Sequence, residues 1–283
     1  MIPQANITAW RASVPWADDA QVEQDLALSR AVVELFADDN LAGKLALRGG
    51  TALNKLFLQQ PFRYSEDIDL VQIEAGPIGS VLNAIRGTLD PWLGRPRRSR
   101  GPGAATLTYR FVSEVPPVQL MRLKIEINTR EHFALFGLKT CRFVVRNPWF
   151  TGTGGVHTFE IDELMATKLR ALYQRRKGRD LFDLWLCLDQ GTIDPQRLVD
   201  CFTEYMEREG HPLTRAQFEQ NLAEKATDPA FLTDVGPLLR PDLTYDVTTA
   251  IAVVRQSLIE LLPVARRQAG PGKQAPKAHP PDG

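Results

Sequence analysis

Two aspartates one residue apart, Asp67 and Asp69 in the stretch Ser65-Glu66-Asp67-Ile68-Asp69-Leu70, follow a Gly49-Gly50-Thr51 turn after a short gap. Side chains alternate along a strand, so in an extended segment both carboxylates face one side while Ile68 and Leu70 face a core. Paired carboxylates repel unless something positive sits between them. A hard divalent cation with oxygen ligands answers that repulsion, and Mg²⁺ typically keeps waters and takes substrate phosphates as further ligands. Glycines at 49 and 50 leave backbone close enough to touch a phosphate. These residue types at this spacing point to metal-dependent phosphoryl or nucleotidyl transfer.

Further charged residues stand where charge is costly. In 118–128, Met121, Leu123, Ile125 and Ile127 alternate with Arg122, Lys124, Glu126 and Asn128, the pattern of a half-buried strand with one polar face. Glu126 on that polar face is either a third metal carboxylate or a cross-strand partner of Lys124 or Arg122. Lys168 projects into an apolar helical stripe made by Ile161, Leu164, Met165, Leu169 and Leu172. A lysine there must snorkel or meet an anion, which is a nucleotide phosphate or an internal carboxylate. Asp183 lies in Leu181-Phe182-Asp183-Leu184-Trp185-Leu186, a helix apolar nearly all round, so it must be paired, either with Lys168 or an arginine or on the nucleotide side of a site. Asp180, after Gly178, reads as a helix cap. Ser65 precedes the acidic pair. Its phosphorylation would set negative charge beside the metal and block triphosphate binding, an idea that full activity in Ser65→Asp would refute.

Helices are expected over 18–38, from Pro77 to about Trp92, and near 160–175, 179–189, 194–209, 214–226 and 243–265, with a short one from Thr51 to Leu58. Strands are expected at Leu45–Arg48, Asp67–Ile73, Ala105–Val112, Val118–Asn128 and Arg142–Arg146, with 95–103 as a loop. The chain turns helical after Gly152-Thr153-Gly154-Gly155, which places a boundary there. The reading is a lobe over 1–155, a helical lobe over 156–266 that completes the site, and a Pro/Gly-rich tail over 267–283 expected to be disordered.

With 34 basic and 34 acidic residues the chain is neutral, so any nucleic-acid case rests on charge distribution rather than net charge. Two basic clusters stand out: Arg95, Arg97, Arg98 and Arg100, and Lys168, Arg170, Arg175, Arg176, Lys177 and Arg179. Each is either a phosphate-binding face or a solvated turn. Three scattered cysteines without zinc spacing fit a reducing cytoplasm. No stretch approaches the roughly 18 apolar residues that would span a membrane. The four histidines show no ligand spacing, and there are no internal repeats.

Taken together, Gly49-Gly50-Thr51-Ala52-Leu53, Arg63-Tyr64-Ser65-Glu66-Asp67-Ile68-Asp69-Leu70, Glu163-Leu164-Met165-Ala166-Thr167-Lys168-Leu169-Arg170-Ala171-Leu172 and Arg179-Asp180-Leu181-Phe182-Asp183-Leu184 resemble the AbiEii/AbiGii nucleotidyltransferase toxins, MenT-like members of the DNA polymerase β-like nucleotidyltransferase superfamily. The resemblance runs in register over about residues 40–190. It implies a bilobed α+β protein, with a mixed nucleotidyltransferase sheet and flanking helices followed by a helical bundle. It implies transfer of NMP from an NTP with Mg²⁺, or Mn²⁺, to the 3′ end of tRNA, which blocks translation. A cognate antitoxin, often a winged-helix DNA-binding protein, is the implied partner in phage-defence operons. Carried over, Asp67, Asp69, Lys168 and Asp183 are catalytic, and Gly49, Gly50, Thr51, Ser65 and Lys168 hold the nucleotide. Asp67, Asp69 and Glu126 hold metal. The alternatives are a nucleotidyltransferase acting on a protein or small molecule, and a non-catalytic nucleotide-binding module.

Overall fold

The computed structural model describes residues 2–41 and 43–264; the tail expected over 267–283 lies outside them. Among the described residues, ten α-helices and seven strands follow in the order α1 (Gln4–Arg11), α2 (Asp19–Ala37), β1 (Leu45–Arg48), α3 (Gly49–Ala52), β2 (Asp67–Gln72), α4 (Ile78–Leu93), β3 (Arg97–Gly101), β4 (Ala104–Val112), β5 (Leu120–Asn128), β6 (Leu138–Asn147), β7 (Phe150–Phe159), α5 (Ile161–Gln174), α6 (Gly178–Asp189), α7 (Pro195–Arg208), α8 (Arg215–Lys225), α9 (Pro229–Thr233) and α10 (Val247–Ser257), with a π-helical turn at Leu53–Phe57 directly after α3. The strands form one mixed sheet in the order β3-β4-β5-β2-β1-β7-β6. Only β2·β5 and β1·β7 run parallel. This is an α+β architecture, as the sequence leads one to expect.

Helix α2 is the central support of the sheet. Its N-terminus is capped by Asp18, whose side chain accepts from the Ala20 amide. Val22, Leu26, Val32, Val33 and Leu35 are buried on it, and it packs along β5, β2, β7 and β6. The N-terminal helix α1, which has no strong sequence signal, is pinned by Ile7 and by Trp10, whose indole donates to Asp25 at 2.9 Å. Asp25, buried in α2, also takes Lys55 at 2.7 Å, so its charge is paired.

Two strands escape the sequence pattern. The glycines of 152–155, expected to mark a boundary, lie inside β7, which runs on to Phe159 and pairs along its length with β6. Here glycine makes room for a helix: a Cβ on Gly152 would press on Val33 at 3.0 Å, and one on Gly154 would lie 3.2 Å from the Val33 carbonyl. The arginine-rich stretch expected as a loop contains β3, an edge strand bonded only to β4, where charge guards an open edge. The last helix is shorter than 243–265: Asp246 caps it through the Thr249 amide, and it ends at Ser257.

Candidate active site

The turn after β1 and the first residues of β2 meet at one end of the sheet. Gly49 has φ +76°, and a Cβ there would collide with the Asp69 carboxylate. A Cβ on Gly50 would strike the Arg63 guanidinium. Gly49 is therefore demanded by both its backbone conformation and a neighbouring side chain, and Gly50 by its neighbouring side chains alone. Thr51 is buried, and its hydroxyl donates to the Asp67 carbonyl at 2.6 Å and lies 2.9 Å from Ser65 Oγ. The hydroxyl is thus committed to fixing the strand that carries the aspartates.

Register places the carboxylates. Asp67 stands beside Lys124 of β5, and Asp69 lies between Glu126 of β5 and Arg48 of β1. Asp67 and Asp69 share a face while Ile68 and Leu70 are buried, as alternation requires. Oδ1 of Asp67 is buried and has no hydrogen-bond partner. Burial first, and the charge of Asp69 second, push the Asp67 carboxyl up to about 6. An orphaned carboxylate oxygen beside a second carboxylate fits a hard divalent cation that keeps open positions for water and substrate oxygens. The three carboxylates are not gathered as one ligand set: among the described residues no group of three His, Cys, Asp or Glu side chains converges to hold a metal. Glu126 instead pairs with Lys124 at 2.6 Å. Burial lowers the Lys124 pKa, but this partner outweighs it and raises the ammonium above its ordinary value.

Behind the aspartates lies a buried ion network. Lys168 Nζ is 3.2 Å from Asp180 Oδ1 and 3.0 Å from Asp183 Oδ2, so of its two candidate anions the internal one is present. Asp183 also accepts from Arg63 Nε and Nη2, each at 2.6 Å. Burial raises the Asp183 carboxyl, but Arg63 and Lys168 outweigh it and hold it at about 2. Asp180 corrects the cap expectation. It is fully buried and takes Arg175 through both oxygens at 2.7 and 2.9 Å, while Lys177, the true N-cap position of α6, makes no side-chain cap. A carboxylate this deep must be paired rather than spent on a helix end.

The second basic cluster is largely compensated. Arg170 pairs with Glu131 at 2.8 Å and Glu209 at 2.6 Å, Arg176 with Asp228 at 3.4 Å, and Lys177 and Arg179 with Asp234 at 3.4 and 3.1 Å. Arg48 closes the same system through Glu131 at 2.7 Å. Sequence reading missed Arg63 and Glu131 as members of the site. The only signal for Arg63 was its place two residues before Ser65, and Glu131 sits in a loop with no periodicity.

Two neighbouring cavities meet over Asp69, Glu126, Lys168 and Arg175. The first, about 300 Å³, is lined by Gly50, Ser65, Asp67, Lys124, Lys177 and Arg179 besides those four. The second, about 290 Å³, adds Gly49, Arg48, Arg170 and Gln174. Of the expected site residues, Thr51 and Asp183 line neither; both stand behind residues that do. A carboxylate pair facing four cations across a cavity of this size can receive a polyphosphate chelated to a cation.

The chain is similar in fold to MenT4, a nucleotidyltransferase toxin from Mycobacterium tuberculosis H37Rv, at 16% identity and a TM-score of 0.58, over 92% of this chain and 90% of that one. An antigenic nucleotidyltransferase-like protein from Paracoccidioides brasiliensis aligns at 16% identity with a TM-score of 0.38, over 70% of this chain and 89% of that one. Comparison with curated proteins gives no match. The family described as nucleotidyl transferase AbiEii toxin, type IV toxin–antitoxin system, matches residues 30–253. With that match across most of the chain, a glycine turn and aspartate strand in one site, and the fold of a nucleotidyltransferase toxin, the protein belongs to the AbiEii nucleotidyltransferase toxins of type IV toxin–antitoxin systems.

Proposed function

We propose that this protein transfers a nucleoside monophosphate from an NTP to the 3′ hydroxyl of an RNA, with tRNA as the acceptor, and so blocks translation. The observation that carries the reading is the orphaned Asp67 oxygen, paired with Asp69 and facing Lys168, Arg175, Lys177 and Arg179 across one cavity. Asp67 and Asp69 would hold Mg²⁺, or Mn²⁺, which when bound supplies charge neutralisation at the phosphates. Lys177, Arg179 and Arg175 orient the triphosphate, and Lys168, held by Asp180 and Asp183, presents its ammonium to it. The acceptor oxygen attacks the α-phosphorus, a P–O bond forms, the bond to pyrophosphate breaks, and pyrophosphate leaves. Glu126, in register with Asp69, takes the hydroxyl proton. Asp183 acts through Arg63 and Lys168 rather than on substrate. A cognate antitoxin of winged-helix, DNA-binding type restrains the activity.

The test incubates purified protein with total tRNA, Mg²⁺ and each α-labelled NTP in turn, beside Asp69→Ala. Label on RNA from one NTP, lost in the variant, supports the proposal. Label on protein alone shows a different acceptor, and metal-dependent NTP binding without turnover shows a binding module; either outcome overturns it.

A further inference from the structure

Beside the aspartates, the active-site face of β5, β4 and β3 lies open. Asp67 is in register with Lys124, Lys124 with Thr108, and Thr108 with Arg97. Registered residues share a face. This row therefore runs from the aspartate pair to the sheet's outer edge, about 14 Å at roughly 4.8 Å per strand. Two residues along, Arg110 and Arg122 are in register on the same face. The alternating residues Leu107, Tyr109, Leu123 and Ile125 are buried on the other side, where the Tyr109 hydroxyl reaches Asp90 of α4.

Charge on this face is of one sign in excess. Arg97 and Arg110 are exposed, and the ion pairs found on the face are Lys124–Glu126 at 2.6 Å and a long Arg122–Glu66 contact at 3.8 Å. The cations of 168–179, by contrast, each have a carboxylate partner. Among the described residues, the cations on this side of the aspartates that lack an ion-pair partner are therefore Arg97 and Arg110 of the sheet. Thr106 and Thr108 add hydroxyls between the arginines, and no aromatic residue lies on the face. Such a surface can grip phosphates and ribose but offers no platform for stacking bases.

We infer that the open face of β3–β4–β5 is the track along which the sugar–phosphate backbone of the RNA acceptor reaches the active site, with Arg97, Arg110 and Arg122 on phosphates. The inference rests on the proposal that the acceptor is RNA. It requires binding that depends strongly on salt and weakly on base sequence. It also divides the first basic cluster: Arg97 faces the track, whereas Arg98 and Arg100 alternate with it and are registered with Leu107 and Ala105 on the opposite face.

The experiment compares Arg97→Gln/Arg110→Gln with Arg98→Gln/Arg100→Gln in the full chain. It measures NMP transfer to tRNA, tRNA binding across a salt series, and binding of a fluorescent NTP. The first pair should raise KM for tRNA, leave kcat at saturating tRNA unchanged, and reduce the salt slope by about 0.7 per arginine for a single-stranded contact. NTP binding should match the wild type in both pairs, and the second pair should leave tRNA binding intact. If the wild type labels tRNA and the two pairs behave alike, the track is overturned while RNA transfer stands. If the first pair loses affinity for the antitoxin but keeps its kinetics on tRNA, the face belongs to a protein, and the exposed Val112 and Leu120 at its end become the neighbouring contact. If the wild type labels no RNA at all, the acceptor proposal falls and the track with it.

Discussion

Asp67 is held by the fold in a form that works against folding. Its carboxyl is raised to about 6 by burial and by Asp69, against an unfolded value of about 3.9. A raised carboxyl is neutral in both states below about pH 4, so no penalty exists there. The penalty grows as pH rises from about 4 to about 6 and is complete above that. At neutral pH without metal, Asp67→Asn should therefore stabilise the protein by about 1–2 kcal/mol, after allowance for its partial exposure. The same variant should abolish transfer and lose the rise in Tm that Mg²⁺ or Mn²⁺ produces in the wild type. A lower Tm in metal-free Asp67→Asn, or a metal response that survives it, would refute the assignment of this orphaned oxygen to a cation. Lys168 differs in kind, since its charge already has two carboxylate partners and its function depends on how those partners aim it.

At the scale of elements, helices α5 and α6 supply a device for holding one lysine. Lys168 comes from α5, Asp180 and Asp183 from successive turns of α6, and Arg63 from the connection between α3 and β2. Removing one partner of a buried pair leaves the other charge uncompensated, at about 3–5 kcal/mol. Asp183→Asn should accordingly lower both stability and transfer, whereas Asp69→Ala should lower transfer alone. Denaturant midpoints and label incorporation on the same preparations separate the two. Were Asp183→Asn inactive at wild-type stability, Asp183 would be acting directly on substrate rather than through Lys168 and Arg63.

For the whole molecule, this network joins the sheet lobe to the helices, and its acid response follows from its sign. Asp183 is lowered to about 2 in the fold. Its contribution is present above the unfolded value of about 3.9 and is lost as pH falls through about 2, amounting to about 2–3 kcal/mol. Asp180 is lowered too, with burial opposing and Lys168 and Arg175 prevailing, so it acts in the same direction. Urea midpoints should fall steeply from about pH 4 to pH 2. A midpoint unchanged across that window would mean the network adds nothing to stability. Among the described residues no helix is long and apolar enough to cross a membrane.

The sequence by itself determined the parts whose cause is local. Alternation set Asp67 and Asp69 on one face, and the 3.6-residue stripe placed Lys168 among apolar neighbours. It also showed that Lys168 and Asp183 need partners, because charge in an apolar stripe is costly wherever the chain goes. Which partners they find was decided by tertiary structure. Arg63 reaches Asp183 across 120 residues, and Glu131 joins Arg48 to Arg170 over 83 and 39. No periodicity encodes such distances. The glycine run in β7 was legible only once α2 lay against it, since a small residue marks a boundary or a close contact with equal ease. The two basic clusters looked alike as sequence. Packing neutralised one with carboxylates from α6, from the residues flanking α7 and α9, and from the loop at Glu131, and strand register set the arginines of the other on opposite faces of an open sheet edge.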